Sequence, residues 1–217
     1  MVVLAFLWPL VSGWLVDALG VRALAIAILL ISGASLVAAN RAVPSDLALG
    51  RIDSLALVAL VGAAAASGER VFLLLVPAWL QLAVARIFWR SVRDGDSIFW
   101  RAASVIEPYA PDFIRPYCRR ATLLWAWVFL ANALVIAVLA IAAPLAYWRT
   151  YTGWIAWAIM AKLAFVDFLV RKIYFRSYAE NPLDRVFARL FPPEASEMGR
   201  RSNEYRRAKR VSLGMEP

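Results

Sequence analysis

The sequence predicts an all-α membrane protein: a polytopic bundle of about six transmembrane helices with both termini cytoplasmic and short amphipathic helices at the interface. Three observations carry this. Of 217 residues, 63% are hydrophobic and 18% charged, against about half and about a quarter in a soluble domain. The mean hydropathy is +0.66, and apolar runs near the ~20 residues that cross a ~30 Å hydrocarbon core recur along the chain. The 24 Lys and Arg exceed the 15 Asp and Glu, for a net charge of +9, and they gather between alternate runs, as cytoplasmic loops require.

The spans follow in order. The run 2–19 opens without a basic residue, unlike a signal peptide, which needs a positive n-region. A tight turn at Gly20–Arg22 returns the chain through 21–39, and the polar stretch 40–53, with Pro44, Ser45 and Asp46, reads as a loop. The Ala-rich segment 54–67 is short for a crossing, with a re-entrant or tilted segment as the alternative. Gly68–Glu69–Arg70 turns it into 71–88. The fifth span, 121–146, lies in a 28-residue stretch free of formal charge (Ala121–Trp148), long enough to span with tilt or with an interfacial turn near Pro144; 153–170 is the sixth. Six crossings make residues 1–176 the bundle and leave 177–217 as a cytoplasmic basic tail.

Orientation follows from the basic residues. Arg41 and Arg51, six arginines of the loop 89–120 and eleven Lys/Arg between Arg171 and Arg210 share one side, nineteen in all, against Arg22, Arg70 and Arg149 on the other. Positive residues stay inside, which places both termini in the cytoplasm. Trp89, Trp100, Trp148 and Trp154 fall at span ends, the level tryptophan prefers.

The loop 89–120 holds a helix signal. Asp96 or Ser97 caps it, and Ile98, Phe99, Ala102, Val105 and Ile106 recur at helical spacing; Pro108, Pro111 and Pro116 then keep the chain extended. In the tail, Asn181–Pro182 starts a helix over 182–191 that Pro192–Pro193 ends. Leu183, Val186, Phe187, Leu190 and Phe191 form one face, and Asp184, Arg185 and Arg189 the other. Arg101, Arg119, Arg120, Arg185 and Arg189 are the candidate contacts to the anionic inner leaflet, where each basic residue contributes about 1 kcal/mol, or to a cytoplasmic protein. Nucleic acid is not an expected partner, and the oligomeric state is open.

Residue types that are missing exclude much chemistry. There is no histidine and a single cysteine, Cys118, which removes His-dependent triads, HExxH zinc sites and intrachain disulfides. No P-loop, GxGxxG or GxSxG occurs. An enzyme here would have to work with carboxylates such as Glu107, Asp112 or Asp167, with Lys or with Tyr; no catalytic residue, cofactor or metal site is assigned.

Polar residues inside spans carry a cost and need partners or water. At ~1.5 Å per residue, Lys162, Gln81 and Asn132 fall at roughly 10–16 Å depth and form a candidate intramembrane polar layer, with Ser12 near in depth. Arg86 and Asp167, close to the cytoplasmic ends of their spans, form a candidate ion pair. The layer reads either as a pocket or pathway for a headgroup, acyl chain or proton, or as interhelical hydrogen bonding beside a snorkelling lysine.

The text Glu107–Pro108, "APDFIRPYCRRATLLWAWVFLANA" and "WRTYTGWIAWAIMAKLAFVDFLVRK" resembles a family of small predicted bacterial inner-membrane proteins. These are encoded among fatty-acid-synthase-like genes in aryl-polyene and xanthomonadin-type pigment clusters. Tyr117, Arg119, Arg120, Thr122, Asn132, Tyr151, Gly153, Ile155 and Asp167 carry the likeness, over about 106–176; Lys162 departs from the pattern. The resemblance implies a membrane component associated with assembly or export of a lipid-like or polyene product, and transfers no catalytic residue. The expected function is an accessory or scaffold protein that binds acyl-carrier or synthase proteins. The alternatives are a small transporter or flippase for a lipid-linked product and an intramembrane lipid-modifying enzyme.

Overall fold

Glycine sets two tight turns of the N-terminal half. Gly20 and Gly68 have φ of +76° and +77°, the left-handed region that glycine enters without a Cβ penalty. Gly68 ends one helix through a bond from its N–H to the Ala64 carbonyl (2.9 Å), and a Cβ there would meet Arg22 Nε at 3.1 Å. The hairpin expected at Gly68–Arg70 therefore forms.

The computed structural model describes residues 19–39, 51–106, 111–176, 178 and 182–212. The first expected span up to Ala18, with Ser12, lies outside them, as do most of the loop 40–53 and Glu107. Among the described residues the chain is helical and has no strand. The helices are α1 (Val21–Ala39), α2 (Arg51–Ser67), α3 (Arg70–Leu74), α4 (Val76–Asp94), α5 (Ile98–Ile106), α6 (Arg115–Ala142), α7 (Leu145–Thr150), α8 (Ala156–Leu169), α9 (Pro182–Leu190) and α10 (Glu197–Ser212). Two π-helical segments, Tyr151–Ile155 and Val170–Tyr174, follow α7 and α8 without a break.

Three helical stretches are long and apolar enough to cross a membrane: Arg70–Asp94, Asp112–Ala142 and Leu145–Tyr174. Val21–Leu30 and Asp53–Ser67 are shorter apolar helices. Boundaries differ from the sequence expectation where proline acts. Pro77 has no N–H to give the preceding turn, and the helix expected over 71–88 is interrupted at Leu75 between α3 and α4. Pro144 ends α6 at Ala142, and α7 starts at once at Leu145, so the last stretch long enough to cross is 30 residues from Leu145 instead of beginning at Gly153.

The chain divides into two compact units. One draws on the residues up to Arg93 and on Leu123–Trp157, the other on Asp94–Thr122 and the residues from Ala158 onward. In unit one, Leu24, Ala25, Val61, Ala64, Leu73 and Val76 form one buried cluster, and Leu74, Ala78, Ile136 and Trp148 another. The buried alanines, among them Ala83 and Ala85, let backbones approach closely, which is how helices associate where lipid offers no hydrophobic driving force. Trp148 is fully buried and donates from Nε1 to the Leu74 carbonyl (3.2 Å) beside the proline break. It is thus a packing residue and not the interfacial anchor its position suggested. Trp154, by contrast, is exposed.

In unit two, Trp100, Ile114, Cys118 and Phe175 form the core, with Phe99, Ala103, Phe113, Tyr117, Val170 and Met198 against it. Ser97 Oγ accepts the Trp100 N–H (3.4 Å), the cap expected for α5. The buried side of that helix is Phe99, Trp100 and Ala103, whereas Val105, expected on the apolar face, is exposed. Large apolar side chains stand exposed along α6 and α8, among them Leu134, Val138, Ile141, Ile159 and Phe165, the surface a helix presents to lipid.

Candidate functional site

Polar side chains are the informative ones on an apolar scaffold, because each must find a partner. In unit one, the first turn of α2 carries Asp53, which is buried, and α4 carries Trp79 and Arg86 seven residues apart on one face. Arg86 Nη2 pairs with Asp53 Oδ1. Trp79 Nε1 donates to the Asp53 carbonyl (3.1 Å), and the Arg86 guanidinium lies 4.7 Å from the Trp79 ring centroid. The helix N-terminus adds a favourable field for the Asp53 carboxylate. Of the expected pair, Arg86 has Asp53 and Asp167 has Arg171 as an ionic partner within its own unit. Sequence reasoning missed Asp53 by leaving it in a loop. Its place directly before the apolar run 54–67, where an acidic residue suits a first helical turn, was the available signal.

Further along, Asn132 on α6 is buried and its Oδ1 accepts the Tyr151 hydroxyl (2.7 Å). Tyr151 opens the π-helical segment, where Thr152 bonds back to the Trp148 carbonyl (2.8 Å) and Gly153 is buried. Gln81 on α4 is half-buried. Lys162, the third member of the expected polar layer, is exposed on α8 in unit two.

In unit two, the Tyr117 hydroxyl donates to Asp167 Oδ1 (2.6 Å), and Arg171 Nε pairs with Asp167 Oδ2 (3.0 Å) one turn along. The Arg171 guanidinium also faces the rings of Phe99 and Tyr117. Thr122 Oγ1 donates to the Cys118 carbonyl (2.8 Å), and the Cys118 thiol is buried. Tyr117, Asn132, Tyr151 and Asp167, four residues of the resemblance, thus form two hydrogen-bonded pairs, each joining α6 to the helix that ends at Tyr174. Their chemistry is that of helix-to-helix ties.

The tail is held by further ties. Lys172 Nζ pairs with Asp184 Oδ1 (2.6 Å), and Asp184 is 1% exposed. The Tyr178 hydroxyl lies within hydrogen-bond distance of the Lys172 carbonyl (3.1 Å) and the Phe191 carbonyl (2.8 Å), and burial raises its pKa. Ser202 Oγ donates to the Phe175 carbonyl (3.1 Å), Tyr205 to Asp112 Oδ2 (3.2 Å), and Arg201 lies 4.8 Å from the Phe113 ring centroid. Asp184 was expected on the solvent face of the tail helix. It instead turns inward, with Phe187 packed on Phe168, while Val186 and Leu190 are exposed. Of the five candidate surface arginines, Arg119, Arg120, Arg185 and Arg189 are exposed and Arg101 is half-buried.

Compared with known proteins, the chain matches no family model, no curated protein and no solved structure.

Proposed function

We propose that the chain is an accessory protein of the bacterial inner membrane, with six crossings and both termini cytoplasmic. Unit two would be a docking platform for acidic carrier or synthase proteins that assemble a lipid-like or aryl-polyene product. The observation that carries this reading is the way α9 and α10 are secured. Lys172–Asp184, Ser202–Phe175 and Tyr205–Asp112 tie them down while Arg185, Arg189, Arg200, Arg207 and Lys209 remain exposed. A basic surface on ordered helices loses little side-chain and backbone freedom when a partner binds, and an acidic partner is steered to it by long-range attraction. Anionic headgroups of the inner leaflet are the second partner of the same residues, with Val186 and Leu190 supplying apolar contact.

Affinity purification in mild detergent, followed by mass spectrometry, tests the reading. The native chain should recover an acyl carrier protein or a synthase, and R185E/R189E/R207E should lose it. Recovery of the chain alone would contradict the proposal.

A further inference from the structure

We infer that Gln81 and Asn132 line a buried site for a single hydroxyl group between α4 and α6. Asn132 is 6% exposed. Its Oδ1 accepts from Tyr151, but its Nδ2 is buried and has no hydrogen-bond partner among the described residues. Gln81 Oε1 is buried in the same condition. One atom is a donor in want of an acceptor and the other an acceptor in want of a donor.

The helix register brings them to the same level. α4 and α6 pack antiparallel, with Phe88 against Phe129 and Trp89 against Trp127, both at 5.3 Å between ring centroids. Ala78 and Ile136 belong to one buried cluster. Ala78, Gln81, Ala85 and Phe88 recur at three- and four-residue steps on one face of α4, as do Phe129, Asn132 and Ile136 on α6. Gln81 and Asn132 therefore stand on facing stripes, between the Ala78–Ile136 and Phe88–Phe129 levels, within about one turn (~5.4 Å) of each other.

The chemistry selects the ligand. A hydroxyl oxygen accepts from Nδ2 and donates to Oε1 through one atom. A carboxylate or phosphate offers acceptors only and leaves Gln81 Oε1 unmet; an ammonium offers donors only and leaves Asn132 Nδ2 unmet. By engaging Oδ1, Tyr151 fixes which edge of the Asn132 amide is free. Tyr151 itself begins a π-helical segment, a local widening of the helix that recurs at functional sites. The hydroxyl comes either from a buried water or from the alcohol of a lipid-like molecule.

Two measurements on the full chain separate these sources. Thermal unfolding in detergent is followed with dodecanol or dodecane, for the native chain and for Q81M/N132L. A midpoint raised several degrees by dodecanol alone, and only in the native chain, supports the site and assigns it to an alcohol. NMR of the side-chain amides in nanodiscs needs no variant. A water cross-peak at the Asn132 Nδ2 protons, with no dodecanol effect, supports the site and assigns it to water. An equal dodecanol effect in Q81M/N132L, or neither signal in the native chain, overturns the inference.

Discussion

Tyr117 donates to Asp167 at 2.6 Å, and Arg171 closes on the other carboxylate oxygen at 3.0 Å. The phenol donates a hydrogen bond to one oxygen of a carboxylate carried on an apolar helix, and the guanidinium forms an ion pair with the other. Tyr117→Phe removes the hydrogen bond and keeps the ring against Phe175. A bond to a charged group contributes about 1.5–3 kcal/mol, so equilibrium unfolding in detergent should show a loss of that order. An unchanged midpoint would mean that the tie carries no stability.

Asp53 and Arg86 predict an asymmetric mutant cycle. Removing one partner of a buried pair costs about 3–5 kcal/mol because the other charge is left uncompensated. Arg86 is a third exposed, which reduces this to about 1–3 kcal/mol by solvent screening. Asp53→Asn or Arg86→Gln alone should lower stability by that amount, and the double variant should recover part of it. Additive losses in the cycle would deny the coupling.

The anchoring of α10 depends on Gly199. A Cβ there would collide with the Pro193 carbonyl oxygen, and the Gly199 N–H is held by Ser196 Oγ at 3.0 Å. Gly199→Ala should displace the start of the helix and expose its amides. Hydrogen exchange over 197–212 should rise at least tenfold in the variant and stay unchanged in α6; equal protection in both proteins would contradict the docking.

Tyr178 makes the tail sensitive to alkali. Burial favours its neutral phenol and raises its pKa above the ordinary value of about 10. Because the folded value is the higher one, this contribution to stability is present below pH ~10 and is lost as pH rises through the folded value. The midpoint for the native chain should fall more steeply above pH ~10 than that of Tyr178→Phe, read as the difference between the two. Parallel profiles would remove Tyr178 from the linkage.

Much of the helical layout was legible because hydropathy and proline act locally. The α5 cap at Ser97, the turn at Gly68 and the start of α9 at Pro182 follow from neighbours in the sequence. Partnerships were less legible. Arg86 chose Asp53 because helix packing, which no single sequence displays, brought the start of α2 to it. Asp184 looked like a solvent residue until Lys172, twelve positions earlier and on another helix, took it inward. Tyr117–Asp167 and Asn132–Tyr151 left a usable trace: the two residues on α6 are spaced almost as far apart as their two partners, as an antiparallel pair requires.

The docking role is tested most directly with purified components. The chain in nanodiscs of neutral lipid is titrated with an acidic acyl carrier protein at low and at physiological salt. The account predicts saturable binding that weakens as salt rises, and at least tenfold weaker binding to R185E/R189E/R207E. Binding unaffected by salt and by charge reversal, or no binding at low salt, would contradict it.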